Sequence, residues 1–458
     1  MLENTIDGAG DKPKSSMALL DSKETARRLK SIDALRGIAA LAVVFTHIPR
    51  EHHGDVDLTF LTFLPIDFGT LGVPLFLVIS GFCIHLAVAR RASESQRATV
   101  DWAAFWKRRF YRLYPPYVAA IGFSLAAYFL VRALGHLRPD RVIESLWVDL
   151  ASHLLLIQNL LPAFSDGLFN PAFWTLALEE QLYAMFAILL ILRRRLSIFS
   201  VLAIALAVEV VWRSGATWTE FLLVRNGVPR DAQYITIGSL PAIGGWAAWP
   251  FAWWFLWVLG AVSAEGYAKT TPLPAWCYSR LLAAGMATFG ALTYFRTLGR
   301  YTEFWLTDEG AQGLLRASLN TLVGFSEIAF AVSCFILLNR WVRAEQQGRF
   351  TQRWMATLSS IGVFSYSLYL VHHPVIAVLE ALIPLGPRPS VFATMLRILV
   401  YVPICVASGY LFFIAVERHF LKHRKGQWTS WARGRTLANW RNAVPRGERA
   451  STGGNPHA

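Results

Sequence analysis

The sequence is poor in charge. Only 16% of its 458 residues are Asp, Glu, Lys or Arg, against roughly 25% in an ordinary soluble domain. That is too little to wet the surface of one or two globular domains of this length. Cysteine is scarce as well: there are 4. Cys83, Cys277, Cys334 and Cys405 lie mostly inside apolar runs and never in a CxxC spacing. This excludes a small disulfide scaffold and reads as buried, inert thiols. Acids are outnumbered, 30 against 44 Lys and Arg, so the formal net charge is +14. The polar N-terminal stretch to about Arg28 lacks the apolar core of a signal peptide.

What the chain has instead is apolar surface. Hydrophobic residues make up 54%, and the mean hydropathy is +0.39. Disorder is excluded, and an integral membrane protein is the natural reading. In a soluble protein the basic excess would suggest nucleic acid; in a membrane protein it belongs on the cytoplasmic side, and no nucleic-acid partner is expected.

A spanning helix needs about 20 mostly apolar residues. The candidates are 33–50, 70–89, 113–134, 173–192, 196–213, 247–268, 279–297, 317–339, 359–383 and 391–416, with Pro115 and Pro116 in the first turn of the third. The stretch Trp147 to Leu161 is short and holds Asp149, His153, Gln158 and Asn159, so it reads as re-entrant or interfacial. With ten spans and a cytoplasmic N-terminus, 32 of the 44 basic residues fall on the cytoplasmic side, as the positive-inside rule demands. The expected class is an all-α integral membrane bundle of about ten helices with both termini cytoplasmic. It divides into a polar cytoplasmic segment 1–30, a transmembrane domain 31–417 and a basic, disordered cytoplasmic tail 418–458 that can touch anionic lipid. The outer loops 51–69 and 214–246 are long.

Five segments carry chemistry. In the first, Arg36 and His47 stand eleven residues apart. That is almost three helical turns, so they share one face about 16 Å apart. A histidine this deep either bonds another helix or faces a cavity. With Arg36 at the cytoplasmic mouth, the stripe suits a long anionic cofactor, phosphates at Arg36 and reactive end at His47. In the second, Gly69, Gly72, Ser80 and Gly81 permit close packing or close approach by a ligand. In the third, Lys107, Arg108, Arg109 and Arg112 are either generic positive-inside charge or a phosphate clamp.

The fourth segment runs from Asn170 through Trp174 to Tyr183 and places Glu179 and Glu180 side by side in an apolar run. Adjacent helical residues point about 100° apart, so each serves a different neighbour. One can orient His47 and the other pair with an arginine, or both can form interhelical ion pairs. In the fifth, Tyr366, Tyr369 and His373 share a face, and Tyr369 neighbours His372. No metal is expected, because adjacent histidines cannot easily share one ion and no HExxH or CxxC accompanies them. A polar lining for a hydroxyl-bearing substrate fits better. Glu209, Glu327, Glu380 and Arg397 read as ties between helices. The tryptophans between Trp246 and Trp257 form an interfacial belt, although such rings also stack on sugars.

Taken in order, the segments resemble the acyltransferase-3 family of membrane acyltransferases: Arg36-x10-His47, GxxGVxxFxxxSG at 69–81, RRxxRxxP at 108–115, WTLxxEExxY at 174–183 and SYSLYLxHxP at 365–374. The resemblance spans roughly 31–417. It implies a ten-helix protein of the plasma (bacterial inner) membrane. Such a protein moves an acyl group, usually acetyl from acetyl-CoA, onto a hydroxyl of a surface or secreted glycan such as O-antigen or exopolysaccharide. On that resemblance His47 is the catalytic histidine, served by Glu179 and Glu180. Arg36, Ser80, Arg108, Arg109 and Arg112 hold the donor, and Trp174, Tyr366, Tyr369 and His372 meet the acceptor. His47 acts as general base or as a nucleophile forming an acyl-imidazole. Many members carry an esterase-like domain after the last span; here a short basic tail stands there, so any such partner is expected to be absent or separate. Other readings are acylation of a small molecule such as a macrolide or oligosaccharide signal, or a glycan or lipid transporter. The inverted-repeat transporters' matching pair of broken helices is not evident. A non-catalytic scaffold leaves the Arg36–His47 stripe unexplained.

Overall fold

The structure is a computed structural model. It describes residues 29–50, 69–93, 100–136, 146–160, 167–225, 235–237, 240–243, 248–301, 309–350, 352–383 and 391–421. The helices are α1 Lys30–Arg50, α2 Gly69–Ser93, α3 Trp102–Ala133, α4 Leu146–Leu154, α5 Trp174–Arg193, α6 Ile198–Arg225 and α7 Trp254–Tyr267. They continue as α8 Arg280–Tyr301, α9 Glu309–Gln346, α10 Arg353–Val363, α11 Ser365–Leu382, α12 Val391–Phe412 and α13 Arg418–Leu421. A small antiparallel ribbon pairs β1 Ile235–Ile237 with β2 Leu240–Ile243. Loop 51–69, segment 1–30 and the tail 418–458 lie largely outside the described residues, as do 226–234, 238–239 and 244–246 of loop 214–246.

Each of the ten expected spans falls on helix, but the count of ten is not confirmed. Among the described residues seven helices are long and apolar enough to cross a membrane, or eight if α10 and α11 form one span broken by 73°. Two departures have clear causes. The segment 247–268 yields only the 14-residue α7, about 21 Å long. Twelve consecutive residues of it, Trp254 to Glu265, are buried. A helix apolar on every side belongs in the core of a bundle. The segment 359–383 breaks at Phe364, between α10 and α11. There α10 lies flush on the start of α1: a Cβ on Gly362 would strike the Asp33 carbonyl, and one on Gly37 the Leu358 carbonyl. The bend then sends α11 along the inner face of α1. A third departure concerns Pro115 and Pro116, which lie inside α3 rather than at its start. Asp101 caps that helix, its Oδ1 accepting from Ala104 N at 3.0 Å.

The re-entrant expectation for 147–161 has a structural counterpart. α4 has nine residues, about 14 Å, too short to span. Its end meets α3 at Tyr114 and Tyr117, whose phenols donate to the carbonyls of Leu154 (2.9 Å) and His153 (3.1 Å). Those tyrosines lie about 24–29 Å before the end of α3 by the rise per residue. The tip of the segment is therefore deep, where irregular backbone must be satisfied by protein. Gln181 Nε2 donates to the Leu156 carbonyl at 3.1 Å, and Asn159 Nδ2 to that of Ala248 at 2.9 Å.

Ionic clamps close both ends of the bundle. At one, Arg193 grips Glu265 with Nε at 2.7 Å and Nη2 at 2.9 Å, and His85 Nε2 lies 3.2 Å from the same carboxylate. Glu345 of α9 caps α1 there, accepting from Lys30 N and Ser31 N, both at 2.8 Å. At the far end Arg213 pairs with Glu209 (3.2 Å) and Glu327. Glu380 and Arg397 lie 3.5 Å apart. Glu209, Glu327, Glu380 and Arg397 are thus ties between or along helices.

Candidate active site

The register of α1 places Arg36 near the Glu345-capped end and His47 three turns further along the same helix. His47 Nδ1 lies 2.8 Å from the Val43 carbonyl, one turn back. A carbonyl only accepts, so in the neutral ring Nδ1 carries the proton and Nε2 the lone pair. The same reasoning applies to His372, whose Nδ1 lies 2.7 Å from the Tyr369 carbonyl. Its Nε2 is therefore an acceptor, and it sits 3.4 Å from His47 Nδ1. The His47 N–H is shared between a backbone carbonyl and a second imidazole. His373 flanks His47 from the other side, ring centroids 5.7 Å apart and nearly perpendicular. Among the described residues no group of three or more His, Cys, Asp or Glu is placed to hold a metal ion.

A second polar cluster lies toward the capped end. Glu179 Oε1 accepts from Ser80 Oγ at 2.9 Å and from the Tyr183 hydroxyl. The hydrogen bonds of this carboxylate thus run to α2 and to its own helix, while Val43 and His372 meet Nδ1 of His47. Arg36 feels Asp33, Glu179 and Tyr183 electrostatically, and its Nη2 lies 3.4 Å from Cys83 Sγ. Arg109 stacks its guanidinium on Phe105 at 4.3 Å and faces Tyr183 at 5.6 Å. Its Nε is buried without a hydrogen-bond partner, a donor that an anionic ligand would satisfy.

The remaining expected site residues are distributed as follows. Tyr369 ties the histidine cluster to the start of α5: its carbonyl meets His372, while its hydroxyl lies 2.5 Å from Thr175 Oγ1 and donates to the Ala172 carbonyl at 3.0 Å. Tyr366 donates to the Leu113 carbonyl at 2.8 Å, tying α11 to α3. Trp174 packs on Trp253, centroids 5.6 Å apart. Glu180 turns away from Glu179 into a cleft of about 420 Å³ with Trp106, Lys107, Phe110, Tyr111 and Tyr114. Arg108 and Arg112 are exposed. Three members escaped the sequence reading. Tyr183 was visible only as the end of a motif. Ser367, buried on α11, donates to Glu417 Oε2 at 2.5 Å. Glu417 gave one signal, an acid closing a long apolar run.

The profile of a family described as an acyltransferase domain matches residues 29–416. O-acetyltransferase OatA of Staphylococcus aureus (strain NCTC 8325 / PS 47) is 23% identical over 428 residues, covering 89% of this chain and 61% of that protein. Peptidoglycan O-acetyltransferase OatA of Listeria monocytogenes serovar 1/2a is 23% identical over 372 residues, 80% of this chain and 52% of that protein. Acyltransferase MdmB of Streptomyces mycarofaciens is 32% identical over 162 residues, 35% of this chain and 38% of that one. The chain thus spans about three-fifths of the length of its Staphylococcus relatives. No solved structure gives a significant match. With the profile covering most of a chain built from membrane-length apolar helices, this protein belongs to the acyltransferase-3 family of multi-pass membrane acyltransferases.

Proposed function

We propose that the protein is an O-acetyltransferase that carries acetyl from acetyl-CoA on the arginine-rich side of the membrane to a hydroxyl of a glycan on the other. The carrying observation is the state of His47. Its Nδ1 proton is held by the Val43 carbonyl at 2.8 Å, which puts the basic lone pair on Nε2. The positive-inside distribution supports the arginine-rich end as cytoplasmic, the compartment of acetyl-CoA. Arg36 and Arg109, with the exposed Arg108 and Arg112, supply donors suited to phosphates. The pantetheine arm then runs along α1, and the thioester meets His47 about 16 Å further on.

In the reaction, His47 Nε2 takes the proton of the acceptor hydroxyl as its oxygen attacks the thioester carbonyl carbon. The C–S bond breaks, and the CoA thiolate leaves with that proton, returned by His47. While the ring is cationic, the Val43 carbonyl and His372 Nε2 both accept from Nδ1–H and favour the charged form. The acceptor class is supported by the names of the OatA relatives, which are O-acetyltransferases, one of them of peptidoglycan. Mass analysis of surface glycans from cells expressing wild type or His47→Ala tests this. An acetyl increment present only with the wild type is expected. An identical glycan pattern in both, with the protein present in the membrane, would sink the proposal.

A further inference from the structure

The cleft that holds Glu180 lies on the face of α3 turned away from the proposed donor arginines. At about 100° per residue, Trp106, Lys107, Phe110, Tyr111 and Tyr114 gather on one side of the helix. Arg108, Arg109 and Arg112 gather on the other. Glu180 of α5 enters the cleft from across, and Leu156, in the tip of the re-entrant segment, borders it. Glu180 is half-buried and Lys107 is exposed. The two charges share the cleft, yet among the described residues neither side chain makes a hydrogen bond or an ion pair, with each other or with a neighbour. A carboxylate partly withdrawn from water without such a partner is costly, and a bound cation would offset that cost.

The walls point to the same kind of ligand. Phe110 and Tyr114 stack with centroids 4.9 Å apart, and Tyr111 meets Phe110 edge-on at 5.8 Å. Trp106, Phe110 and Tyr111 stay 38%, 52% and 43% exposed, so ring surface is left for a ligand. Aromatic faces beside a carboxylate attract an ammonium group. A purely cationic ligand would face repulsion from Lys107, and a purely anionic one, such as the phosphates of the acyl donor, repulsion from Glu180. A zwitterion answers both charges, its ammonium at the carboxylate and its phosphate at the lysine. Tryptophan and tyrosine favour the headgroup level of a bilayer, and Leu155, 68% exposed beside the cleft, offers apolar surface to an acyl chain. We propose that this cleft binds the headgroup of a zwitterionic phospholipid, with its ammonium at Glu180 among the rings and its phosphate at Lys107. The site is separate from the histidine cluster and uses nothing of the donor assignment.

The test titrates purified full-length protein in detergent with dioleoyl phosphatidylethanolamine or dioleoyl phosphatidylglycerol and counts bound lipid by native mass spectrometry. Wild type is expected to hold one phosphatidylethanolamine about tenfold more tightly than phosphatidylglycerol, the worth of one charge-assisted contact. Glu180→Gln should remove that preference, and Glu180→Lys should turn it toward phosphatidylglycerol, a reversal that a merely structural role would not produce. Lys107→Gln should weaken both lipids, because both carry the phosphate. Phe110→Ala removes a half-exposed ring, and its severalfold loss of phosphatidylethanolamine keeps the question answerable if the Glu180 variants do not fold. Equal affinity of wild type for the two lipids would overturn the proposal, as would a preference that survives in Glu180→Gln. Glycerophosphoethanolamine, the same headgroup without chains, separates lipid from a soluble zwitterion. It should compete only at concentrations at least a hundredfold higher, since it buries no apolar chain; competition at equal concentration would overturn the lipid assignment.

Discussion

His47 Nδ1 and His372 Nε2 stand 3.4 Å apart, joining α1 to α11 across 325 residues of sequence. The contact has a direction, since the proton on His47 Nδ1 points at the lone pair of His372. His372 in turn is locked by its own Nδ1 bond to the Tyr369 carbonyl. His47→Ala should therefore lower kcat by about 10²–10⁴, with an unchanged elution profile in detergent. His372→Ala, which leaves the ring of His47 but loosens it, should cost about tenfold to a hundredfold in kcat with little change in donor KM. Wild-type rates in both variants would remove the pair from the chemistry.

Cys83 is a built-in reporter of the proposed donor site. Its Sγ lies 3.4 Å from Arg36 Nη2, and it is the one cysteine of the four that is not buried. Burial pushes the Cys277 thiol up to about 12, so at neutral pH almost none of it is thiolate and it should not react. Maleimide labelling near pH 7 is expected to fall mainly on Cys83 and to slow when CoA is added. Mass mapping of the labelled peptide reads both. Equal labelling with and without CoA would argue that the ligand sits elsewhere.

Arg213 holds two carboxylates at the far end of the bundle. Glu209 is fully buried there, and its other oxygen accepts from Phe255 N at 3.1 Å. Removing one partner of a buried ionic group costs about 3–5 kcal/mol, because the remaining charge is stranded. Arg213→Ala should lower the thermal midpoint in detergent strongly. Adding Glu209→Gln and Glu327→Gln to it should recover much of the loss. A triple variant no better than the single one would show that the tie acts through packing rather than charge.

Gly81 and Gly260 let α2 and α7 touch backbone to backbone. A Cβ on Gly81 would collide with the Trp257 carbonyl, and one on Gly260 with that of Val78. Backbone cannot swing aside as a side chain can, so Gly81→Ala should cost at least the ~1–3 kcal/mol of ordinary overpacking. Gly122 in α3 is the control, with nothing within 4 Å of its Cβ position. There Gly→Ala should be neutral or stabilising by about 0.4–1 kcal/mol. Equal thermal midpoints for the two variants would contradict the helix crossing.

The contrast between these sites shows what could be read in advance. The α1 stripe was legible because a helix repeats every few residues, so spacing alone puts Arg36 and His47 on one face. The short, polar character of 147–161 was legible too, since nine helical residues cannot cross a bilayer. The brevity of α7 was hidden: a run apolar on all sides reads the same whether lipid or protein surrounds it. The break at Phe364 was hidden as well: Gly362 stands two residues before it, but a lone glycine in an apolar run signals close packing as readily as a bend, and here it makes the flush contact with α1.

By itself the sequence determined the helical membrane class and the residue types available for acyl transfer. These depend on composition and on repeats within one helix, both of which act over short distances. Only the tertiary structure decided that Nδ1 of His47 meets Val43 and His372, that Glu179 turns to Ser80 and Tyr183, and that Ser367 donates to Glu417. Each of those partners is chosen by how helices far apart in the chain pack, and local periodicity carries no record of which faces will meet.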